Sequence, residues 1–130
     1  MESVFRSDLV AWLRSDTGLS TLLNAVQEEA PSPAPPPALS IAASASADWS
    51  SKTTTGREVR LALELLDRGD DASRTAQTVR LIEQRIATLS PDQGSYRVVS
   101  TQFLRSRAER RPRSVRAVLL EYRFRLLSTV

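Results

Sequence analysis

Residues 58 to 67 read EVRLALELLD and contain the clearest pattern of the chain. Two sets of residues alternate in it: Val59, Leu61, Leu63 and Leu65 in one set, and Glu58, Arg60, Ala62 and Glu64 in the other. Successive side chains of a β-strand point to opposite faces, so this alternation predicts a strand with one buried and one polar face. The fold must therefore bury one face of a sheet that contains this strand.

Two long strands are predicted near the C-terminus, over residues 96 to 105 and 115 to 127. The second has an apolar side formed by Val118, Leu120, Tyr122, Phe124 and Leu126. The two strands form a natural antiparallel hairpin, and we expect its charged tip, residues 105 to 116 with Pro112, to project into solvent or onto a partner. A brief strand is also predicted at Leu39, Ile41 and Ala43.

Two amphipathic helices are predicted from apolar residues that recur every three or four positions. The first spans residues 4 to 14, and its apolar residues are Val4, Phe5, Leu9, Trp12 and Leu13. After Gly18, a short helical stripe with a cap near Asp16 or Ser20 follows. The second long helix spans residues 74 to 89 with Ser73 as its N-cap. Its predicted buried residues are Ala76, Val79, Ile82, Ile86 and Leu89.

Two segments are predicted to be loops. Residues 28 to 38 read EEAPSPAPPPA and hold five of the seven prolines. Proline excludes helix and ladder strand, so we favour a stiff connector over a PxxP ligand for an aromatic groove. Residues 44 to 57 are small and hydroxyl-rich, which predicts a flexible loop around Trp49 and Lys52. Trp49 either anchors a partner or folds back onto its own domain.

The element order predicts the fold class. The predicted order is helix, strand, strand, helix, strand, strand. This order places both long helices on one face of an antiparallel four-stranded sheet, which buries every apolar stripe. We expect a two-layer α+β sandwich formed by residues 1 to 130 as one domain, because 130 residues suffice for a single core.

Composition removes most catalytic and metal chemistry. The chain has no cysteine and no histidine, so disulfides, thiol nucleophiles, imidazole bases and nearly all transition-metal sites are excluded. Its four glycines are isolated and form no phosphate loop. A carboxylate hydrolase or magnesium site stays formally open, but the paired carboxylates fall in predicted loops. We therefore expect no enzyme activity, no catalytic residues, no cofactor and no metal.

The location of the protein follows from its apolar runs, which are too short to span a membrane. The first twenty residues include charges and show no secretory signal. We expect a soluble cytoplasmic protein with no membrane partner.

The positive charge is concentrated in the C-terminal part. Residues 105 to 130 carry eight arginines and two glutamates, a net charge of +6, whereas the residues before them carry a net charge of −3. The arginines of the predicted tip are Arg105, Arg107, Arg110, Arg111, Arg113 and Arg116. They could contact nucleic-acid phosphates, dock on acidic surfaces of an identical subunit, or remain solvated without a partner.

The organisation of the chain resembles the phage tail terminator and tail completion proteins. The resemblance is carried in order by DLVAWLRSDTGLSTLL, ALSIA, VRLALELLD, TAQTVRLIEQRIATL, VVSTQFLRSR and EYRFRL. It covers nearly the whole chain and rests on hydrophobic pattern and strand order, because the family has no invariant catalytic motif. The family also occurs in gene transfer agents.

The resemblance implies a structural protein of a phage-like particle. It implies a hexameric ring at the head-proximal end of the tail tube that stops tube polymerisation and joins the tail to head-completion (stopper) proteins. DNA would pass through the lumen without sequence-specific binding. The protein would assemble in the cytoplasm and end in the neck of the tail. The candidate partner-binding regions are the loop around Trp49 and Lys52 and the Arg-rich segment.

The alternative function is a small nucleic-acid-binding protein that uses the Arg-rich C-terminal segment. It predicts salt-dependent binding to duplex DNA. No aromatic residues interleave the arginines for base stacking, which favours the ring.

Overall fold

Residues 1 to 28 and 34 to 130, which a computed structural model describes, contain three helices and five strands. Their order is α1 (Glu2–Arg14), α2 (Thr17–Leu22), β1 (Ala25–Gln27), β2 (Ala38–Asp48), β3 (Gly56–Arg68), α3 (Ala72–Ala87), β4 (Tyr96–Arg111) and β5 (Val115–Ser128).

The strands form one sheet in the order β1-β2-β3-β5-β4. β2, β3, β5 and β4 are antiparallel neighbours, as predicted, whereas β1 pairs in parallel with the start of β2. The prediction of four strands is wrong in this detail. A three-residue strand is too short to show an alternating pattern, so its sequence carries no strand signal.

The core lies between this sheet and the helices, which confirms the α+β class. Phe5 of α1 lies against Phe124 of β5, with ring centroids 4.6 Å apart, and against Tyr96 of β4 at 6.3 Å. The alternating apolar residues of β3 and β5 are buried on this side. The opposite side of the sheet carries mainly charged and small residues, and none of the described helices covers it.

Two helix predictions need correction. Asp71, and not Ser73, caps α3: its carboxylate accepts a hydrogen bond from the Ser73 backbone N–H at 3.0 Å. Ala76 is exposed, while Thr75 and Thr78 are buried in its place. The Thr75 hydroxyl donates to the buried Asp67 carboxylate at 2.7 Å, and this contact turns the threonine inward. The cap of α2 is Asp16, as one of the two predicted positions.

The helix α1 also differs from its predicted apolar face. Val4 is exposed, while Val10 is buried. Trp12 is only half-buried.

The predicted loops are shorter in the structure. Residues 44 to 48 belong to β2 and residues 56 and 57 to β3, so the polar loop spans residues 49 to 55. Small alternating residues gave no core signal, yet they pair along β3 in regular register. Of the proline-rich segment, residues 29 to 33 lie outside the described residues. The Asn24 side chain donates to the carbonyl of Pro35 at 2.9 Å, which fastens the segment next to β1.

Candidate functional site

The outer strand β4 is exposed over most of its length. Residues 101 to 110 are all exposed, although they pair with β5 throughout. The first part of β4 differs, because Tyr96 and Val98 are buried beside α1. Beyond Val98, β4 extends past the helix layer and borders solvent on both faces.

Two β-bulges interrupt β4. The register with β5 shifts between Val98 and Ser100 and again between Phe103 and Arg105, so Val99 and Leu104 are the extra residues. Val99 is 49% exposed, Phe103 44% and Leu104 37%. A bulge re-aims side chains and bends an edge strand. β4 therefore presents three large apolar side chains to solvent at the edge of the sheet.

Sequence reasoning did not identify these three residues. The signal was present as two adjacent apolar pairs, Val98 with Val99 and Phe103 with Leu104, which break the alternation of a strand. Each break coincides with a bulge.

The Arg-rich segment, residues 105 to 116, is mostly strand and not a projecting tip. Arg111 pairs with Val115, so only Pro112, Arg113 and Ser114 form the turn. Arg113 and Ser114 have positive φ angles of 66° and 60°. Val115, the first residue of β5, also pairs with Arg68, the last residue of β3. The hairpin therefore extends beyond β3 only by its turn.

The six arginines of this segment divide into two groups. Arg105 pairs with Glu121, Arg111 lies 3.0 Å from Glu64, and Arg116 donates to Thr75 Oγ1 at 3.3 Å. Within residues 1 to 28 and 34 to 130, no ion pair is formed by the other three, which are Arg107, Arg110 and Arg113. These three exposed guanidinium groups are free for a partner.

Hydrogen bonds from arginine lower the pKa of two carboxylates of the β4–β5 hairpin. The Arg105 guanidinium holds the pKa of Glu121 below its ordinary value, and Arg111 does the same for the pKa of Glu109. Both carboxylates are exposed enough for water to screen the effect. They stay ionised near neutral pH and offer no proton for acid catalysis.

A small pocket of about 300 Å³ lies beside the hairpin turn. It is lined by residues of the β3–α3 turn and of the hairpin: Gly69, Asp70, Arg110, Arg111, Ser114, Val115 and Arg116. Asp70 offsets part of its positive charge.

The helix-free face of the sheet carries paired charges around a groove. Glu58 lies 3.5 Å from Arg123 and 3.3 Å from Arg125, so one carboxylate serves two arginines. The groove has a volume of about 500 Å³. Four strands line it, and its small and apolar lining residues include Ala43, Ala45, Ala62 and Leu104.

Trp49 and Lys52 do not lie together on one surface with the arginines of the hairpin turn. Trp49 is half-buried, and the Arg125 guanidinium carbon lies 5.4 Å from its ring centroid. Trp49 thus contacts its own domain, and part of its side chain stays exposed. Lys52 is exposed in the same loop. This loop lies at the end of the sheet opposite the hairpin turn, because Gly56 pairs with Leu127.

In the part of the chain that is described, no cluster of three or more acidic side chains could hold a metal ion. Among the described helices, none has the length and apolar character needed to cross a membrane.

Comparisons with known proteins agree with this architecture. The model of the family "Tail completion protein gp17" matches residues 7 to 127. No curated protein matches the chain. A chain of the virion of a native gene transfer agent particle superposes with a TM-score of 0.80 at 22% identity, over 95% of this chain and 94% of that one. At this identity the likeness shows a common fold. Because the family model spans nearly the whole sequence, this chain belongs to the tail completion family of phage tail structural proteins.

Proposed function

We propose that this protein is a tail terminator that forms a ring at the head-proximal end of the tail tube. The ring stops polymerisation of the tube protein and joins the tail to head-completion proteins, while DNA passes through its lumen. Six copies are expected from the resemblance to the terminator family. The ring assembles in the bacterial cytoplasm and becomes part of the neck of the particle.

The observation that carries this proposal is the exposed half of β4 with Val99, Phe103 and Leu104. Proteins block uncontrolled pairing at an edge strand with charges and bulges, and β4 has both. Here the edge is long and has three large apolar residues. A surface of this kind is typical of a protein that is completed by contact with another subunit.

The shape of the sheet supports a ring. Its two edges differ, since β4 at one edge is long and arginine-rich and β1 at the other has three residues. Contact between two different edges is heterologous, and heterologous contacts close into rings when the rotation between subunits allows it. A symmetric dimer would instead need one self-complementary patch.

Two separate ends of the sheet are available for the tube and the head side. The loop with Trp49 and Lys52 lies at one end, and the end of the β4–β5 hairpin with Arg110 and Arg113 lies at the other. We assign these two ends to the two different partners of the ring. Arg107, which forms no ion pair with a described residue, adds a third free charge on β4.

The structure gives less support to the nucleic-acid alternative. Three of the six arginines of the segment already contact residues of the same chain. These contacts are Arg105 with Glu121, Arg111 with Glu64 and Arg116 with Thr75. Binding to DNA by phosphate contacts alone would be weak and lost on adding salt. Tight duplex binding at physiological salt, abolished by replacing Arg107, Arg110 and Arg113 with Ala, would support this alternative.

The proposal is tested by polymerising the tube protein of the same particle with and without this protein. We expect shorter tubes in its presence, each carrying a ring at one end in negative-stain micrographs. Heat-denatured protein is the control for non-specific effects. Tubes of unchanged length without a terminal ring would contradict the proposed function.

A further inference from the structure

We propose that β4 of one copy docks on the free edge of β2 in a second copy, with side chains rather than backbone hydrogen bonds forming the contact. The inference deepens the proposed ring function and rests on it. It names the two surfaces that join neighbouring subunits.

The receiving surface is the outer edge of β2. β1 pairs only with residues 38 to 40, so from Ile41 to Asp48 no described strand covers this edge. Residues 42 to 47 are alanine and serine. Small side chains allow a neighbouring strand to approach closely, and large side chains can fill the space that they leave.

The two surfaces lie at the same height in the sheet. Following the strand register, Phe103 pairs with Tyr122, Tyr122 with Leu61, and Leu61 with Ser44. In the same way, Thr101 is connected through Phe124 and Val59 to Ser46. Rotation about an axis parallel to the strands does not change the position of a residue along the strand direction, which is its height here. It therefore places the bulky residues of β4 opposite the small residues of β2 in the next copy.

Charge disfavours a symmetric contact. β4 contains five arginines and one glutamate, so two β4 strands would repel each other. On the β2 side, Arg6 pairs with Glu28 at 3.3 Å and donates to Ser44 Oγ at 3.2 Å, and Asp48 is the acidic residue of β2 itself. The matched heights and the small residues of β2 therefore commit the occupant to a second copy in a head-to-tail arrangement.

The bulges at Val99 and Leu104 define the kind of contact. A bulge breaks the regular spacing of backbone groups along an edge and hinders the addition of another strand. The same bulges present the apolar side chains. β4 thus avoids open-ended sheet growth while it keeps a specific docking surface.

The chain has no cysteine, so a designed pair of thiols can report this contact. Ser46→Cys and Thr101→Cys replace small polar residues at the same height on β2 and β4. Within one chain β3 and β5 separate them. Three strand spacings amount to about 14 Å, beyond the reach of a short bismaleimide cross-linker. Any cross-link must therefore join two copies.

We expect the S46C/T101C variant to give a ladder of covalent oligomers after treatment with the cross-linker. The control pair is Thr101→Cys with Gln84→Cys, which combines the same β4 position with an exposed position on α3. It should give at most a small fraction of the cross-linked product. An equal ladder in the control would overturn the proposed contact.

Light scattering of the unmodified protein separates this inference from the ring itself. If the protein forms oligomers but S46C/T101C gives no ladder, the proposed β4–β2 contact is wrong, while the proposed ring is not contradicted. If the protein is monomeric both alone and with the tube protein, and gives no ladder in either case, both fail. Leu104→Asp alters an exposed side chain, so we expect a native circular dichroism spectrum and at least a tenfold loss of oligomer; unchanged assembly would count against the contact.

Discussion

Trp12 and Arg85 join the two long helices through reciprocal hydrogen bonds. The indole Nε1 donates to the Arg85 carbonyl at 2.8 Å, and Arg85 Nε donates to the Trp12 carbonyl at 3.0 Å. The guanidinium carbon also lies 3.3 Å from the centroid of the indole ring. α1 and α3 are therefore fixed to each other by polar contacts at the rim of the core.

Replacing Trp12 with Phe removes the indole donor and weakens the cation–π contact. We expect the free energy of unfolding to fall by about 1–3 kcal/mol. Urea denaturation followed by far-ultraviolet circular dichroism measures this change. Trp49→Phe is the matched control, because the Trp49 side chain has a more distant arginine and no hydrogen bond to a described residue. An equal loss in both variants would contradict the role of Trp12.

A second prediction concerns the buried contact between Thr75 and Asp67. Thr75→Val leaves a buried carboxylate oxygen without its donor and removes the acceptor of Arg116 Nη1. We expect a loss of about 1–3 kcal/mol in unfolding free energy. Thr78→Val is the control on the same helix, with the same 4% exposure, since its hydroxyl donates only to the Arg74 carbonyl. The control should lose clearly less stability.

A third prediction concerns Gly56, where β3 begins beside the loop of Trp49. A Cβ atom there would lie 2.5 Å from the Trp49 carbonyl oxygen and 2.9 Å from that of Leu126. Both atoms are backbone, so the strand must move to accept Gly56→Ala. We expect the free energy of unfolding to fall by about 1–3 kcal/mol, as for overpacked cores. Gly18→Ala in α2 has only the Asp16 carboxylate at 3.3 Å and should change stability by about 1 kcal/mol or less.

A fourth prediction concerns the pH dependence of stability. Burial, with a smaller effect from Glu83, raises the pKa of Tyr122 to about 12. Tyrosine ionises near pH 10 in the unfolded chain. The stabilisation that Tyr122 gives in its un-ionised form is therefore full below pH 10 and is lost as the pH rises toward 12. We expect Tyr122→Phe to reduce this alkaline loss by about 2 kcal/mol, as measured by urea denaturation at several pH values. An unchanged pH profile would contradict it.

The sequence predicted the layers of the fold because each main element has a regular pattern. The alternation in β3 and β5 and the helical spacing in α1 and α3 specify which faces are buried. The four antiparallel strands and the two long helices are confirmed. β1 was missed because three residues hold no periodic pattern, and β2 was predicted too short because alanine and serine give little contrast between its faces.

The candidate site was predicted less well than the fold. Arginine content indicated the β4–β5 hairpin, but composition cannot tell which arginines find partners across the sheet. Arg111 reaches Glu64, which is 47 positions away in the sequence. The apolar residues at the bulges carry the proposed contact, and their exposure depends on where the helix layer ends, a tertiary property.

The central claim is that this protein ends the tail tube and attaches it to the head. Electron microscopy of particles produced without the gene for this protein tests it most directly, with particles from the complemented strain as the control. We predict tails of uncontrolled length that are separate from the capsids. Tails of normal length attached to capsids would contradict the claim.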